Sequence, residues 1–320
     1  VSSNQVPGGD VEQDPCLSFA AGKGIRGEEE LPVTRINAEK KLTRRNFLKK
    51  GILAAAGLFV LGLPGYSFFV EKNQLEINRI RISSPRLPVS FKGMKIVQIS
   101  DLHFGFFYGP EQLQTLVDQV RSLHPDLFCF TGDLIDRRFS RGEAIKVSDL
   151  LKQIDAPYRK FAILGNHDYW GDTALVKDCL TSAGFRLLIN EWTLVKKGND
   201  VISVSGLDDL LNGKPDHSKV FNDARFDLDL FHLMLVHEPD FAKVISSDPV
   251  DLQLSGHSHG GQINLPFFGP LFTPPLSRKF SSGLYQINER LTLYTNRGIG
   301  TTILPFRFAC RPEITVIELG

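Results

Sequence analysis

The sequence predicts an α/β domain, and three observations carry that prediction. From Leu75 onward, short apolar runs alternate with segments of helical pattern. A second group of apolar runs has no long helical crossovers between its members. Five of the runs in the first group lead directly into polar residues able to bind a metal, the arrangement expected where strand ends converge on one rim of a sheet.

The first group comprises Lys95 to Ser100, Leu127 to Thr131, Lys160 to Leu164, Phe231 to Val236 and Leu252 to Ser255, each short, apolar and bounded by turn residues. Pro110 to Leu123, Glu143 to Ile154, Asp172 to Ala183 and Pro239 to Ile245 carry helical spacing between or beside them. The second group comprises Leu75 to Ile82, Trp192 to Lys196, Val201 to Gly206, Leu284 to Ile287, Leu291 to Thr295 and Ile314 to Leu319. Two packed sheets with helices outside accommodate both groups. No repeat of fixed period runs through the chain.

At 320 residues, 42% hydrophobic, the chain can bury a sizeable core. Its 37 basic and 36 acidic residues leave a formal charge of +1, so no global field draws it to nucleic acid, and no nucleic-acid partner is expected. Cys16, Cys129, Cys179 and Cys310 are scattered and form no C-x-x-C pair; Cys129 and Cys310 read as small buried hydrophobes.

Three segments follow from this pattern. Residues 1–42, rich in Gly, Ser, Glu, Gln and Lys and without periodicity, are expected to be disordered. Residues 43–70 join a basic head, Thr43-Arg44-Arg45-Asn46-Phe47-Leu48-Lys49, to an uncharged stretch from Gly51 to Val70. That layout is an export signal, and the arginine pair resembles a twin-arginine signal, which passes folded cargo to the twin-arginine export machinery. Gly65-Tyr66-Ser67 is the best small-x-small candidate for cleavage, and the 20 uncharged residues are just long enough for an uncleaved anchor. Residues 71–320 are expected to form the folded domain. Its expected location is across, or anchored to, the cytoplasmic membrane, on the outer side.

The chemistry sits after the strands of the first group. Ser100 leads to Asp101-Leu-His103; Thr131-Gly leads to Asp133; Leu164-Gly leads to Asn166-His167-Asp168; Val236 leads to His237; and Ser255-Gly leads to His257-Ser-His259. Five of the eight histidines occupy these places. Imidazoles with carboxylates and an amide oxygen suit zinc, iron or manganese, whereas calcium takes an all-oxygen shell. Seven candidate ligands exceed one tetrahedral shell, and two ions sharing a carboxylate use them all. Ion pairs about 3.5–4 Å apart activate water and neutralise phosphoryl oxygens. His124, His217 and His232 fit no such pattern, and the spacing of five between His232 and His237 places them on opposite faces of one strand.

Ser100-Asp-Leu-His103, Gly132-Asp133, Gly165-Asn-His-Asp168, His237 and Gly256-His-Ser-His259 together resemble the ordered motif set of the calcineurin-like metallophosphoesterases, over residues 94 to about 262. The resemblance implies a four-layer α/β/β/α sandwich and two divalent transition-metal ions. It implies that Asp101, His103 and His259 hold the first, that Asn166, His237 and His257 hold the second, and that Asp133 bridges them. His167 would protonate the leaving oxygen, with Asp168 orienting its ring. With the arginine pair and Tyr294-Thr-Asn-Arg-Gly-Ile-Gly300, the chain is similar to the twin-arginine-exported bacterial branch of that family.

The expected activity is hydrolysis of a phosphomonoester or phosphodiester by a two-metal-activated hydroxide. The alternative is a non-catalytic metal-binding interaction module on the same fold. Gly256, Gly260 and Gly261 are expected to permit tight backbone around the ligands. Phe104-Gly-Phe-Phe-Tyr108 and Leu265-Pro-Phe-Phe-Gly-Pro-Leu-Phe272 would either close the core or form an apolar patch suited to a lipid substrate or membrane surface. Arg278 and Lys279 are candidates to face a substrate phosphate or to form a solvated turn.

Overall fold

The computed structural model describes residues 43–320, and the chain divides into a unit ending at Gly51 and a compact unit from Ile52 to Gly320. The expectation of disorder for residues 1–42 lies outside the described residues. Helix α1 (Arg44–Phe69) contains Pro64, and its Phe47, Leu48, Ile52 and Leu53 are exposed. Among the described residues no helix is long and apolar enough to cross a membrane.

The elements then run β1 (Glu76–Ile82), β2 (Lys95–Ile99), α2 (Pro110–Ser122), β3 (Leu127–Thr131), α3 (Arg141–Lys152), β4 (Arg159–Ile163), α4 (Asn166–Trp170), α5 (Thr173–Ser182), β5 (Phe185–Leu187), β6 (Glu191–Lys197) and β7 (Asp200–Gly206). The second half continues with α6 (Ser218–Phe221), β8 (His232–Leu235), β9 (Leu252–Ser255), β10 (Asn264–Leu265), β11 (Gly269–Pro270), β12 (Gly283–Gln286), β13 (Thr292–Thr295) and β14 (Glu313–Leu319).

One six-stranded sheet has the order β1-β14-β2-β3-β4-β5 and the other β12-β13-β9-β8-β7-β6. Each takes strands from both groups seen in the sequence, because each pairs a parallel centre with an antiparallel junction. In the first sheet β2, β3, β4 and β5 are parallel and β14 runs antiparallel to β2. In the second, β7, β8, β9 and β13 are parallel, with β6 and β12 antiparallel at the edges.

Period-two alternation sends each strand's side chains to two cores. From β2, Val97 and Ile99 pack with Leu113 and Val117 of α2, Val147 of α3 and Val176 of α5. Ile96 points the other way and joins Leu127, Phe161, Leu233 and Leu254 between the sheets. A third cluster, including Met234, Val236, Val220 and Ile245, covers the outer face of the second sheet. The result is a mixed α/β fold with two large sheets flanked by helices. The outer layer on the second sheet is thin. The helix expected over Pro239 to Ile245 is instead two short 3₁₀ turns, Pro239–Lys243 and Ile245–Ser247, since a single apolar face over a short connection is satisfied by one turn.

Cys129, Cys179 and Cys310 are buried free thiols, and burial pushes the Cys129 thiol up to about 12. The side chain of Gln98 links the sheets: its Nε2 donates to Thr131 Oγ1 (3.0 Å) and to the Ser255 carbonyl (3.0 Å). That bond locks the C-terminal ends of β2, β3 and β9 together, just where the polar motifs begin.

Candidate metal centre

Beyond the ends of the parallel strands the backbone keeps pairing, and this registers the ligands. The Asp101 N–H donates to the Gly132 carbonyl (2.9 Å) and the His103 N–H to the Asp133 carbonyl (3.2 Å). From the other sheet, the Gly256 N–H donates to the His237 carbonyl (3.0 Å). The His257 N–H then donates to the Asp101 carboxylate at 3.1 Å, joining the two halves. A Cβ on Gly165 would lie 2.3 Å from Asp133 Oδ1, and one on Gly256 would lie 2.3 Å from Asp101 Oδ2. Both positions therefore admit only glycine without moving a carboxylate.

Three buried groups of donor atoms result: Asp101, His103 and His259; His103, Asp133 and His167; and Asp133, His237 and His257. His103 Nε2 lies 2.9 Å from His259 Nε2, 3.6 Å from Asp133 Oδ2 and 4.0 Å from Asp101 Oδ1. Two imidazole nitrogens bound at right angles to one ion, each about 2.1 Å away, stand about 3.0 Å apart, so the observed separation fits a shared ion. His237 Nδ1 bonds the Thr131 carbonyl (2.7 Å), and His257 Nε2 bonds the Pro275 carbonyl (2.9 Å). Those bonds fix the tautomers and free the opposite ring nitrogen for a ligand. His237 Nε2 and Asn166 Oδ1 are buried with no hydrogen-bond partner. An unpaired buried polar atom costs about 1–3 kcal/mol, a cost that coordination would remove. The donor set fits divalent transition metals.

The backbone is strained at the same places. Asp101 (φ 53°), His103 (φ 45°), Asp133 (φ 58°), His257 (φ 67°) and His259 (φ 51°) all occupy the left-handed region. Each such residue costs roughly 1–3 kcal/mol, held by the surrounding pairing. Gly260 and Gly261, at φ 58° and 81°, carry the tight turn after the last ligand.

His167 stands beside this centre. Its backbone N–H donates to Asp133 Oδ1 (2.8 Å), and its ring meets His103 edge-on with centroids 4.4 Å apart. Ring Nδ1 bonds the Asp136 carbonyl at 2.8 Å and lies 3.3 Å from Asp136 Oδ1. The expected orienting residue, Asp168, does not touch the ring. Its carboxylate instead accepts backbone N–H bonds from Gly165, Asp133 and Leu134 at 2.8–3.0 Å, with Ile135 at 3.3 Å. Asp168 therefore shapes the loops that carry Asp133 and Asn166, and Asp136 holds the ring. Burial opposes charge on His167, but Asp136 and the Asp133 charge together outweigh it and raise the ring's pKa. Burial likewise opposes ionisation of Asp136, yet His103 and His167 hold its carboxyl well below the usual carboxylate range.

A cleft of about 750 Å³ opens on the centre, lined by Asp133, Asn166, His167, His257 and His259 at its base. Asp136 and Arg137 also line it, and Trp170, Phe272 and Ile303 contribute apolar walls. Arg278 and Lys279 are not among its lining residues; their backbone N–H groups donate to the Asp240 carboxylate, the solvated-turn reading. The loop Phe104 to Tyr108 divides, with Phe104 buried and Phe107 exposed, whereas Phe267, Phe268, Leu271 and Phe272 are all exposed. Asp136 was absent from the sequence-derived site. The signal that could have found it is the Asp133-x-x-Asp136 spacing in the loop after β3.

Residues 94–261 match the calcineurin-like phosphoesterase family. Along 284 residues the chain is 42% identical to the uncharacterized metallophosphoesterase YkuE of Bacillus subtilis (strain 168), covering 88% of this chain and 98% of that protein. It is 31% identical to the phosphodiesterase YaeI of Escherichia coli (strain K12), covering 87% of this chain and 99% of that one. It is 29% identical to the UDP-2,3-diacylglucosamine pyrophosphatase LpxG of Chlamydia muridarum, covering 78% and 90%. With the motif loops paired around one buried donor set, the chain belongs to the calcineurin-like phosphoesterase family and is a phosphoric ester hydrolase.

Proposed function

We propose that the protein is a two-metal hydrolase of phosphomonoesters or phosphodiesters that acts outside the cytoplasmic membrane, on an envelope lipid phosphoester or pyrophosphate. The observation that supports the two-metal reading is the chain of donor groups in which His103 links the Asp101–His259 group to Asp133 and Asp133 links it on to His237 and His257, with His237 Nε2 and Asn166 Oδ1 buried and unpaired. Asp101, His103 and His259 would hold one ion, Asn166, His237 and His257 the other, and Asp133 both. Bound there, Mn, Fe or Zn ions would supply Lewis acidity towards a phosphoryl oxygen and a nucleophile from water at neutral pH.

The chain's own residues do the rest. With Nδ1 held by Asp136, His167 keeps its other ring nitrogen for the leaving oxygen, and the raised pKa keeps a proton on the ring to donate. Arg137 brings a guanidinium to the cleft wall for a non-reacting phosphate oxygen. Asp168 keeps the loops of Asp133 and Asn166 in register through its four backbone bonds.

The lipid reading is supported by the apolar walls of the cleft and by the name of one relative, a diacylglucosamine pyrophosphatase. The location is supported by Arg44 and Arg45 at the start of α1, ahead of the uncharged stretch. The twin-arginine machinery would export the metal-loaded domain, which stays tethered by residues 51–70 or is released near Ser67. Metal analysis of purified protein, followed by assay of the loaded enzyme on aryl mono- and diesters, nucleotides and lipid pyrophosphates, tests the proposal. Fewer than two ions per chain, or no turnover of any phosphoester, sinks it.

A further inference from the structure

Three segments have no charged side chain, residues 51–70, 260–277 and 298–306; the second and third lie side by side at the cleft mouth, and the end of the first reaches them through Phe68. Within the second, β10 and β11 form a short hairpin whose tip carries Phe267 and Phe268, 105% and 86% exposed. Phe267 also adopts φ 69°, a region unfavourable to a bulky side chain, and gains no packing there. Leu265, Leu271 and Phe272 extend the apolar surface down the hairpin.

The third segment lies alongside. Gln262 Nε2 donates to the Thr302 carbonyl (2.9 Å), and Gln262 Oε1 accepts the Thr302 N–H (2.6 Å). This strap sets the exposed Ile303 and Leu304 beside the hairpin. The end of the first segment joins through Phe68, whose ring packs edge-on against Phe107 (5.9 Å) and Phe306 (5.8 Å). Single exposed apolar residues need no explanation, but a contiguous apolar face around an active-site mouth does.

We infer that this face docks the enzyme on a lipid bilayer, with the Phe267–Phe268 tip inserted among the acyl chains. Charge distribution favours a bilayer over a protein partner. The three segments carry no charge that could pair with a partner's rim, while cations stand at the border: Arg278 and Lys279 directly follow the hairpin segment and are exposed, and Lys72 Nζ sits 4.0 Å from the Phe68 ring. A neutral aromatic wedge edged by lysine and arginine matches hydrocarbon beneath anionic headgroups. Phe272 and Ile303 belong both to this face and to the cleft wall, so docking would turn the cleft towards the leaflet. A lipid phosphoester then reaches the metal centre without leaving the membrane. The inference rests on the proposed lipid-directed hydrolase.

The test is flotation of the full chain with vesicles of phosphatidylethanolamine and phosphatidylglycerol, beside turnover of a water-soluble aryl phosphodiester. The wild-type protein should float. The double variant Phe267→Asp, Phe268→Asp should lose vesicle binding by about tenfold or more, since each buried aromatic contributes a large part of interfacial affinity. Its turnover of the soluble diester should stay within about twofold, as neither residue lines the cleft. Wild-type protein that stays unbound, or a double variant that floats equally well on α1 alone, overturns the docking inference. So does a self-associated wild type that the variant renders monomeric, which would assign the face to a second copy. Failure of the hydrolase reading is separately visible as no turnover of the soluble diester by the metal-loaded wild type.

Discussion

The two ends of β8 place a buried histidine in opposite settings. At the start, His232 Nδ1 meets Ser203 Oγ at 2.8 Å and Nε2 meets Ser205 Oγ at 2.6 Å, so both ring nitrogens are satisfied. Burial and the Arg290 cation push its pKa down to about 3, and it stays neutral. Just past the other end, His237 keeps one nitrogen unpaired, 3.2 Å from Asp133 Oδ2. Burial opposes charge there too, but Asp133, Asp101 and Glu238 together outweigh it and raise the pKa well above the ordinary value. Equal burial thus accompanies opposite electrostatics: hydroxyls and a cation surround a ring that rejects positive charge, and carboxylates surround one that demands it. A divalent ion would supply that charge. Completeness of hydrogen bonding, more than burial, separates a structural histidine from a ligand.

The largest expected effect breaks the demanding end. Asp133→Asn removes the carboxylate that stands between His103 on one side and His237 and His257 on the other, the proposed bridge, so metal content should fall from two ions per chain towards none and activity to background. Elemental analysis and the aryl diester assay check this together. A variant that keeps both ions and full activity would rule out the shared-ligand assignment. His237→Ala should follow the same course for one of the two ions.

Next comes His167, proposed to touch substrate and no ion. His167→Ala should keep its metals and lose roughly 10²–10⁴ in rate, the usual contribution of a general acid. The loss should shrink for nitrophenyl esters, whose leaving oxygen barely needs a proton. Equal losses across leaving groups would point to another role for the ring.

A smaller effect is expected at Asp136. On the proposed mechanism the His167 proton is needed, so rate should fall as pH rises through the ring's pKa. Asp136 raises that pKa, and Asp136→Asn should move the alkaline limb to lower pH, with a rate loss of about 10–100-fold. Asp168→Asn should lower metal content instead, because its four bonds go to the Asp133 and Asn166 loops. An unchanged pH profile in Asp136→Asn, with a shifted one in Asp168→Asn, would reverse the two roles.

This difference between Asp136 and Asp168 also marks what was legible in the sequence. The parallel strands and the ligands after them were readable because short buried runs are strongly patterned and each ended at once in a metal-binding side chain. Asp136 was not, since an acid beside Arg137 and Arg138 in a loop has the look of a solvated surface charge. Only the return of α4 to the β3 loop brings His167 onto it. The division of strands between sheets was equally hidden. Burial patterns tell which residues of β14 face inward, but not that it inserts between β1 and β2. The Pro239 segment had helical spacing over too few residues to choose between an α-helix and a 3₁₀ turn.

The smallest effect on activity belongs to the satisfied end of β8, and there the readout is stability. His232→Leu should leave turnover within about twofold, because no atom of His232 reaches the donor groups. It strands Ser205 and leaves Ser203 only its 3.4 Å bond to the Phe231 carbonyl, at a cost of about 1–3 kcal/mol at pH 7. The pH dependence should differ as well. A histidine with a folded pKa near 3 and an unfolded pKa near 6.5 is fully stabilising only above the unfolded value. As pH falls below 6.5 the unfolded chain takes up the proton first, and the contribution is lost progressively until pH passes the folded value. Between pH 7 and pH 5 that loss amounts to about 2 kcal/mol. Urea denaturation of wild type and variant at both pH values isolates it, since both keep the metal centre and its own acid sensitivity cancels in the difference. The variant's deficit relative to wild type should therefore shrink by about 2 kcal/mol at pH 5. An unchanged deficit would mean that folded His232 takes up its proton as readily as the unfolded ring does, and the contrast between the two ends of the strand would fail.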